Sequence, residues 1–466
     1  MPAYLVRGGP KNVSRLSRLT GSRLMTQGCV ELASKTTRVV RCEAQVPSAL
    51  IGYQVKVGLL SQWLAADGEN FVGALAQTLA EQGADVTCVV GTSIDEGSPK
   101  PWRLDKHKQQ FARYRALRYP YFRSQDRSSL KRAVTYATFS AVTGVAAIGA
   151  LRANDVVLVY SSPATAAWAA MVCRRLSGTP YVLLVQDVWP DSVFASGFIT
   201  QGRVRRVAEW NLNRFVDASY RNAAAVVAIS PNMRELLVSR GVPDHKAHAI
   251  YNWADESVVG KPLVFPVRAT NEPLHLMYAG NLGFAQNLDN VFHALAQAPA
   301  GSVRLTLIGG GAAEQHLRRT AELVAPGLVT FRPRVPVEEL PPIMEEAHLH
   351  LISLADEEVF QITLPSKLQF LLAAGAPILS VAPGEVSEIV TRERVGLAAR
   401  PADVADLTQA LKLACALTAE ELSAMAARAR HVYDLKMSKS INASKLTSIL
   451  RKASAESGSS RARRHQ

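Results

Sequence analysis

Two short stretches carry residue types that chemistry can use. Residues 185–197 read VQDVWPDSVFASG and follow an apolar run, Tyr181–Val185. A buried strand ordinarily stops in a plain turn, but this one stops in Asp187, Trp189, Pro190 and Asp191. Carboxylates at the open end of a strand can orient a hydroxyl or take its proton. Asp191 has a second explanation, because behind Pro190 it suits the first turn of a helix, where the dipole favours negative charge. Asp187 is therefore the stronger candidate. The other stretch is LPSKLQFLLAAGAPIL, Leu364–Leu379. Pro365 fits a first helical turn and Gly375 a helix end, which puts Ser366 and Lys367 at the positive end. A cation there is unfavourable alone and becomes sensible when an anion docks.

Two glycine-bracketed turns could supply more anion contacts. MYAGNLG (Met277–Gly283) and LIGGGAAE (Leu307–Glu314) each end an apolar strand just before a helix. Backbone N–H groups in such a turn can face a phosphate, although such turns also allow tight strand-to-helix packing.

The elements around these stretches form two alternating arrays. The first runs from YQVKVGLLSQ (Tyr53–Gln62) through the helical pattern Asn70–Gly83 to ADVTCVVG, DVVLVYS, PYVLLVQ and AAVVAIS. The second runs through LHLMYAG, VRLTLIGGG, LVTFRPRV, HLHLISL and APILSVAPG, with helices such as Leu288–Ala298 between. Short apolar strands alternating with helices predict an α/β fold with parallel sheets. The expected organisation is a basic, disordered extension over 1–50 and a Rossmann-like half over 51–255. A linker over 256–272 and a second Rossmann-like half over 273–437 follow, then a helix over 438–453 and a disordered basic tail over 454–466. The cleft between the halves is the expected ligand site.

The stretches QDVWPDSVFASG, AISPNMRELLVSRGV, IYNWAD, MYAGNLGFAQNLDNV and LPSKLQFLLAAGAPIL, taken together, resemble a retaining, family-four glycosyltransferase of the GT-B fold. They are most similar to the bacterial subgroup of O-antigen and capsule synthesis that includes the L-fucosamine (N-acetylfucosamine) transferase. The resemblance implies a nucleotide-diphosphate-sugar donor, UDP-linked, held mainly by the second half. Lys367 would face the diphosphate with Leu364, Pro365 and Ser366 around it. Gly280, Asn281, Gly283, Gly310, Asn252 and Arg334 would line the donor site, and Gln369 would stand where many members carry a glutamate. Asn281 replaces an arginine of broader members, and GFAQN (Gly283–Asn287) lacks the lysine often found nearby. In the first half, Gly68 of AADGENF would let backbone approach the donor, while Glu69 and Trp189 would meet the acceptor. Asp187 and Asp191 would be the catalytic carboxylates. Asp187 would orient the acceptor hydroxyl if the leaving phosphate serves as base. The acceptor implied is a polyprenyl-diphosphate-linked saccharide at the inner face of the cytoplasmic membrane.

The net charge of +14 is uneven. Residues 1–50 hold eight Lys/Arg against two Asp/Glu, and residues 101–150 hold ten against two. The segment Phe111–Phe139 interleaves Arg with Tyr and Phe, a composition suited to an anionic lipid headgroup layer. The uncharged run Ala133–Leu151 is too rich in Ala, Thr and Gly for a confident membrane span and is expected to be a buried or interfacial helix. Nucleic-acid binding would explain the charge but not two phosphate-binding halves; a nucleotide-sugar 2-epimerase shares the two-half architecture. Five scattered cysteines with no CxxC pair argue against a disulfide framework or a zinc site. His348 and His350 alternate on one strand and are expected to be structural. No metal and no cofactor are expected.

Overall fold

The computed structural model describes residues 54–68, 70–95, 107–123, 129–191, 203–269 and 272–464. The extension 1–50 and Glu69 lie outside the described residues. From Gln54 onward the chain is one compact unit.

The first half is an eight-stranded sheet in the order β3-β4-β2-β1-β5-β6-β7-β8. Its strands are β1 Lys56–Ser61, β2 Asp85–Asp95, β3 His107–Gln110, β4 Arg115–Arg123, β5 Val156–Ser161, β6 Tyr181–Val185, β7 Ala225–Ala228 and β8 Ala247–Ala249. All neighbours are parallel except β3 and β4. The helices α1 Phe71–Glu81, α2 Ser129–Ala146, α3 Ala167–Ser177, α4 Arg203–Asn222 and α5 Pro231–Ser239 connect them. The second half is an all-parallel six-stranded sheet in the order β11-β10-β9-β12-β13-β14. It comprises β9 Leu274–Ala279, β10 Val303–Ile308, β11 Val329–Arg332, β12 Leu349–Ser353, β13 Ile378–Val381 and β14 Gly396–Ala399. Among its helices are α6 Leu288–Gln297, α7 Glu314–Val324, α8 Ser366–Ala374 and α9 Glu385–Arg392. Strands β6, β7, β12 and β13 are buried at every residue, which is why they read as unbroken apolar runs.

Strand order reverses between β1 and β5 in one sheet and between β9 and β12 in the other. Ligands of open α/β sheets bind at the carboxyl ends of strands flanking such a point. Gly280 and the segment leading to Lys367 leave β9 and β12 at those ends, and Asp187 leaves β6, the neighbour of β5.

The structure differs from expectation in three places. Part of the basic segment 111–139 is not a surface patch but strand β4, hydrogen-bonded between β2 and β3. Its Tyr119 and Tyr121 point into the core, and Arg118 is tied to the Leu64 and Ala65 carbonyls at 2.9 and 2.8 Å. The linker segment begins with a helical turn, Glu256–Val259. The last helix, α10 Lys439–Arg464, runs through most of the tail expected to be disordered. No proline interrupts it, and its anchor is apolar: Ala443, Leu446, Leu450 and Ala453 pack in the core of the first half.

The chain thus crosses between the halves twice. Tyr433 and Glu256 stitch the crossings together. The Tyr433 hydroxyl accepts from the Ala254 N–H at 3.2 Å and donates to Glu256 Oε1 at 2.9 Å, and Lys439 N donates to the same oxygen at 2.8 Å.

Candidate active site

In the second half, the two glycine turns stack edge to edge. A side chain at Gly309 would meet the Gly280 carbonyl oxygen at 1.9 Å, and one at Gly311 the Leu282 carbonyl oxygen at 2.4 Å. Gly280 N donates to Ile308 O at 2.8 Å and Leu282 N to Gly310 O at 3.0 Å. Asn281 and Gly283 are held by Gln286, whose Oε1 accepts from Asn281 Nδ2 at 3.3 Å and Gly283 N at 3.0 Å. Gly280 is positioned with φ of +150°.

Lys367 completes this floor from α8. Pro365, expected inside the first turn, is instead the N-cap in an extended conformation and offers no side-chain cap. The N–H groups of that turn therefore lack a side-chain acceptor. Lys367 folds back so that Nζ lies 3.1 Å from the centre of the Tyr278 ring. A side chain at Gly280 would stand 3.2 Å from this ammonium. No ion pair or hydrogen bond joins Lys367 to a described residue. Enclosure by protein atoms pushes its pKa well below the ordinary lysine value. A cation held at a helix N-terminus without a counter-ion is a site prepared for an anion.

Leu364 is buried and Ser366 exposed beside Lys367. Gln369 does not reach this floor. It is 2% exposed and, oriented to satisfy its amide, donates to Pro365 O at 2.8 Å and Ser366 O at 3.2 Å. The next residue, Phe370, is half-exposed and packs on the apolar core of the second half. Arg334 is exposed two residues past β11, whose Arg332 carbonyl accepts from Gly309 N at 3.2 Å. It therefore flanks the Gly310 turn. A groove of about 940 Å³ opens farther along the sheet, lined by Asp356, Gln361, Gly384, Glu388 and Arg400. Lys367 is not on its wall.

In the first half, Asp187 leaves β6 and accepts from the Ser162 hydroxyl at 2.9 Å. Ser162 follows β5, so the pair sits beside the strand-order reversal. Asp187 presents surface to solvent, yet neighbouring atoms strip enough water to push its carboxyl above the ordinary range, against the Ser162 hydrogen bond. Burial, with the Asp187 charge adding to it, pushes the nearby Tyr160 phenol up to about 12. Gly68 takes φ of +84° before α1, where a side chain would meet the Tyr114 hydroxyl at 2.7 Å.

Three expected roles change on inspection. Asp191 is the last described residue before Arg203, so the helix expected after it lies outside the described residues; its carboxylate is paired with Arg240, Nη2 to Oδ1 at 3.1 Å. Desolvation raises its pKa, and the Arg240 hydrogen bond and charge more than reverse that, leaving it lowered. A carboxylate so engaged is a poor proton acceptor. Trp189 is buried in the core, edge-on to Tyr136 with ring centres 5.6 Å apart, so it is no open wall for an acceptor. Asn252 donates to Gln186 Oε1 at 2.8 Å, so it binds the end of β6 rather than the glycine turns.

Sequence reasoning missed Ser162, Tyr278 and Arg240. Only Ser162 carried a signal, as a polar residue directly after an apolar strand. His348 lies buried just before β12 and His350 lies buried within it. His348 Nδ1 accepts from His275 N at 2.9 Å, a structural role. Among the described residues no group of three or more His, Cys, Asp or Glu could hold a metal ion.

Comparison with known proteins fits this geometry. Residues 68–253 match the family described as Glycosyl transferase 4-like domain, and residues 273–416 match Glycosyl transferases group 1. The chain is 26% identical over 318 residues to the probable glycosyltransferase WbjE of Pseudomonas aeruginosa, covering 66% of this chain and 76% of that protein. It is 23% identical over 320 residues to the putative colanic acid biosynthesis glycosyl transferase WcaI of Escherichia coli K12, covering 66% and 77%. Sucrose-phosphate synthase from Thermosynechococcus elongatus superposes with a TM-score of 0.63 at 16% identity, over 86% of this chain and all of that one. Anabaena HepE in complex with UDP superposes with a TM-score of 0.59 at 13% identity, over the same shares. At these identities the structural likeness speaks to the fold, which is GT-B. The chain is a glycosyltransferase, with a glycosyl transferase 4-like first half and a glycosyl transferases group 1 second half.

Proposed function

We propose that the enzyme transfers a sugar, an N-acetylated deoxysugar in the reading its sequence favours, from a UDP-linked donor to a polyprenyl-diphosphate-linked saccharide, with retention of anomeric configuration. The observation that carries this is Lys367, half-buried against the Tyr278 ring and without a counter-ion among the described residues, beside two glycine turns. As the glycosidic bond to the diphosphate breaks, negative charge grows on the leaving phosphate. A fixed cation and helix N–H groups stabilise that charge more in the transition state than in the ground state. HepE, of the same fold, has been solved with UDP and with UDP-glucose. Charge is met by protein groups, so no metal is invoked. The acceptor hydroxyl passes its proton to the leaving phosphate, and Asp187 orients that hydroxyl from the facing half.

The acceptor's lipid places the enzyme at the cytoplasmic face of an anionic membrane. Three adjoining helices of the first half support this: α2 packs on α3 and α3 on α4. They expose Val145, Trp168, Leu176, Val207 and Trp210, with Arg174, Arg175 and Arg206 among them. Arg214 lies over the Trp210 ring at 4.8 Å. Apolar rings ringed by arginine suit a headgroup layer. Among the described residues no helix is long and apolar enough to cross a membrane.

The test is a donor screen with purified enzyme and membranes containing polyprenyl-diphosphate sugars. Transfer from one UDP-sugar with retained configuration is expected. If no UDP-sugar is bound or consumed, the reading fails.

A further inference from the structure

The two halves touch at a third place, away from the two chain crossings. Ser230 ends the β7 segment and caps α5, its hydroxyl accepting from Met233 N at 3.1 Å. Two residues on, Asn232 Nδ2 donates to Glu388 Oε2 at 2.9 Å. Glu388 and Glu385 share the first turn of α9, in the opposite half. Glu385 is 2% exposed, and the Ser230 hydroxyl and the Asn232 backbone N–H both favour its charged form. Burial outweighs them and holds its pKa above the ordinary glutamate value. Its Oε2 has no hydrogen-bond partner.

The surroundings fix this contact. Gly384 enters α9 with φ of +64°, and a side chain there would meet the Gln361 carbonyl oxygen at 2.0 Å. The segment Glu358–Gln361 is thereby held against the start of α9. From that segment Glu358 acts on the Arg240 guanidinium of the first half, and the adjoining Ile362 packs on the first half's core. Two helix N-termini, those of α5 and α9, thus converge on Glu385 from opposite halves, and each favours a carboxylate.

A carboxylate buried with one oxygen unsatisfied is a poor way to stabilise a permanent interface. It suits a contact that forms and breaks, because opening returns Glu385 to water while closing recovers the Ser230 and Asn232 contacts. A transferase must open to admit its donor and release its nucleotide. We propose that Glu385 and Glu388 are positioning residues: their carboxylates grip the N-terminus of α5 and latch the donor half onto the acceptor half, in the register that brings Lys367 and Asp187 to one glycosidic bond. This inference rests on the proposed sugar transfer for its catalytic consequence, but the latch itself is read independently of transfer.

The experiment measures the distance between fluorophores carried on non-canonical amino acids at Leu176 and Leu323, exposed side chains in opposite halves, in the full-length chain. Asn232→Asp sets a carboxylate against Glu388. The distance distribution should shift to longer values, and turnover should fall about 10-fold, the scale of one lost hydrogen bond to a charged group. UDP affinity should stay within about 2-fold, because Lys367 and the glycine turns are untouched. Adding Glu388→Gln to that variant restores a donor–acceptor pair with its direction reversed, so distance and turnover should both recover. Glu385→Gln keeps an oxygen that can accept from Ser230 and Asn232 and removes the charge that burial penalises, so it should leave the distance unchanged or shorten it. If Asn232→Asp leaves the distribution unchanged, or the double variant fails to recover it, the latch is wrong. If no sugar is transferred at all, the distances still decide the latch, and the proposed function alone falls.

Discussion

Lys367→Met separates binding from stability, because the two should move in opposite directions. Methionine keeps length and apolar contact with the Tyr278 ring while removing the charge. A charge-assisted hydrogen bond is worth about 1.5–3 kcal/mol. One such bond to the diphosphate therefore corresponds to a loss of UDP affinity of roughly 10- to 150-fold. Stability should respond the other way. The folded protein holds this lysine with a depressed pKa, so below the ordinary lysine range it binds fewer protons than the unfolded chain. Stability of the wild type therefore rises with pH between the depressed value and 10.5. The variant has no such dependence, so it should be more stable near neutral pH, with the gap closing as pH approaches 10.5. Saturating UDP should stabilise the wild type strongly and the variant little. Isothermal titration with UDP and thermal melts at several pH values, each with and without UDP, give the numbers. A variant that binds UDP like the wild type, or that melts lower at pH 7, would refute the prepared-anion-site argument.

Gly280→Ala should weaken UDP binding and cost about 1–3 kcal/mol, since its Cβ would press on Lys367 at a φ that L residues avoid; titration and denaturant melts check both. Asp187→Asn should lower kcat by about 100-fold, the scale of a misplaced reacting group, while UDP affinity holds. In the wild type, activity should be lost as pH falls through the raised Asp187 pKa, and Ser162→Ala, removing a bond that favours the charged form, should move that acid limb to higher pH. Asp191→Asn should cost no more than about 1 kcal/mol, because the pair with Arg240 is largely exposed, and should leave transfer intact, as initial rates would show. His350 is held neutral by burial, its pKa lowered from 6.5 to about 3, so its contribution is present above pH 6.5 and lost as pH falls toward 3. His350→Leu should flatten acid unfolding by up to about 1.4 kcal/mol per pH unit in that window.

The parallel strands were legible because strands buried on both faces spell themselves as apolar runs. Lys367 was legible because its charge contradicts its place on a helix. β4 is obscured in the sequence by its composition: Ala116, Tyr119 and Tyr121 face inward, but the arginines between them give the segment the character of a charged surface. Partners distant in sequence left no trace at all. Asp191 meets Arg240 across 49 positions and Trp189 meets Tyr136, so whether each served the site or the scaffold depended on tertiary contacts. Gln369 shows the finest limit, since its place on α8 gives no sign that its amide folds onto the carbonyls of its own first turn.

The paired crossings, with Glu256 bonded to both Tyr433 and Lys439, make the joint a two-strand hinge rather than a single tether. One strand would let the halves swivel freely, whereas two stitched strands leave chiefly one axis, so opening and closing retrace the same arc. The same arrangement orders events on the ribosome. The core of the first half lacks Leu446 and Leu450 until α10 has emerged, so the first half is completed only after the second has been made.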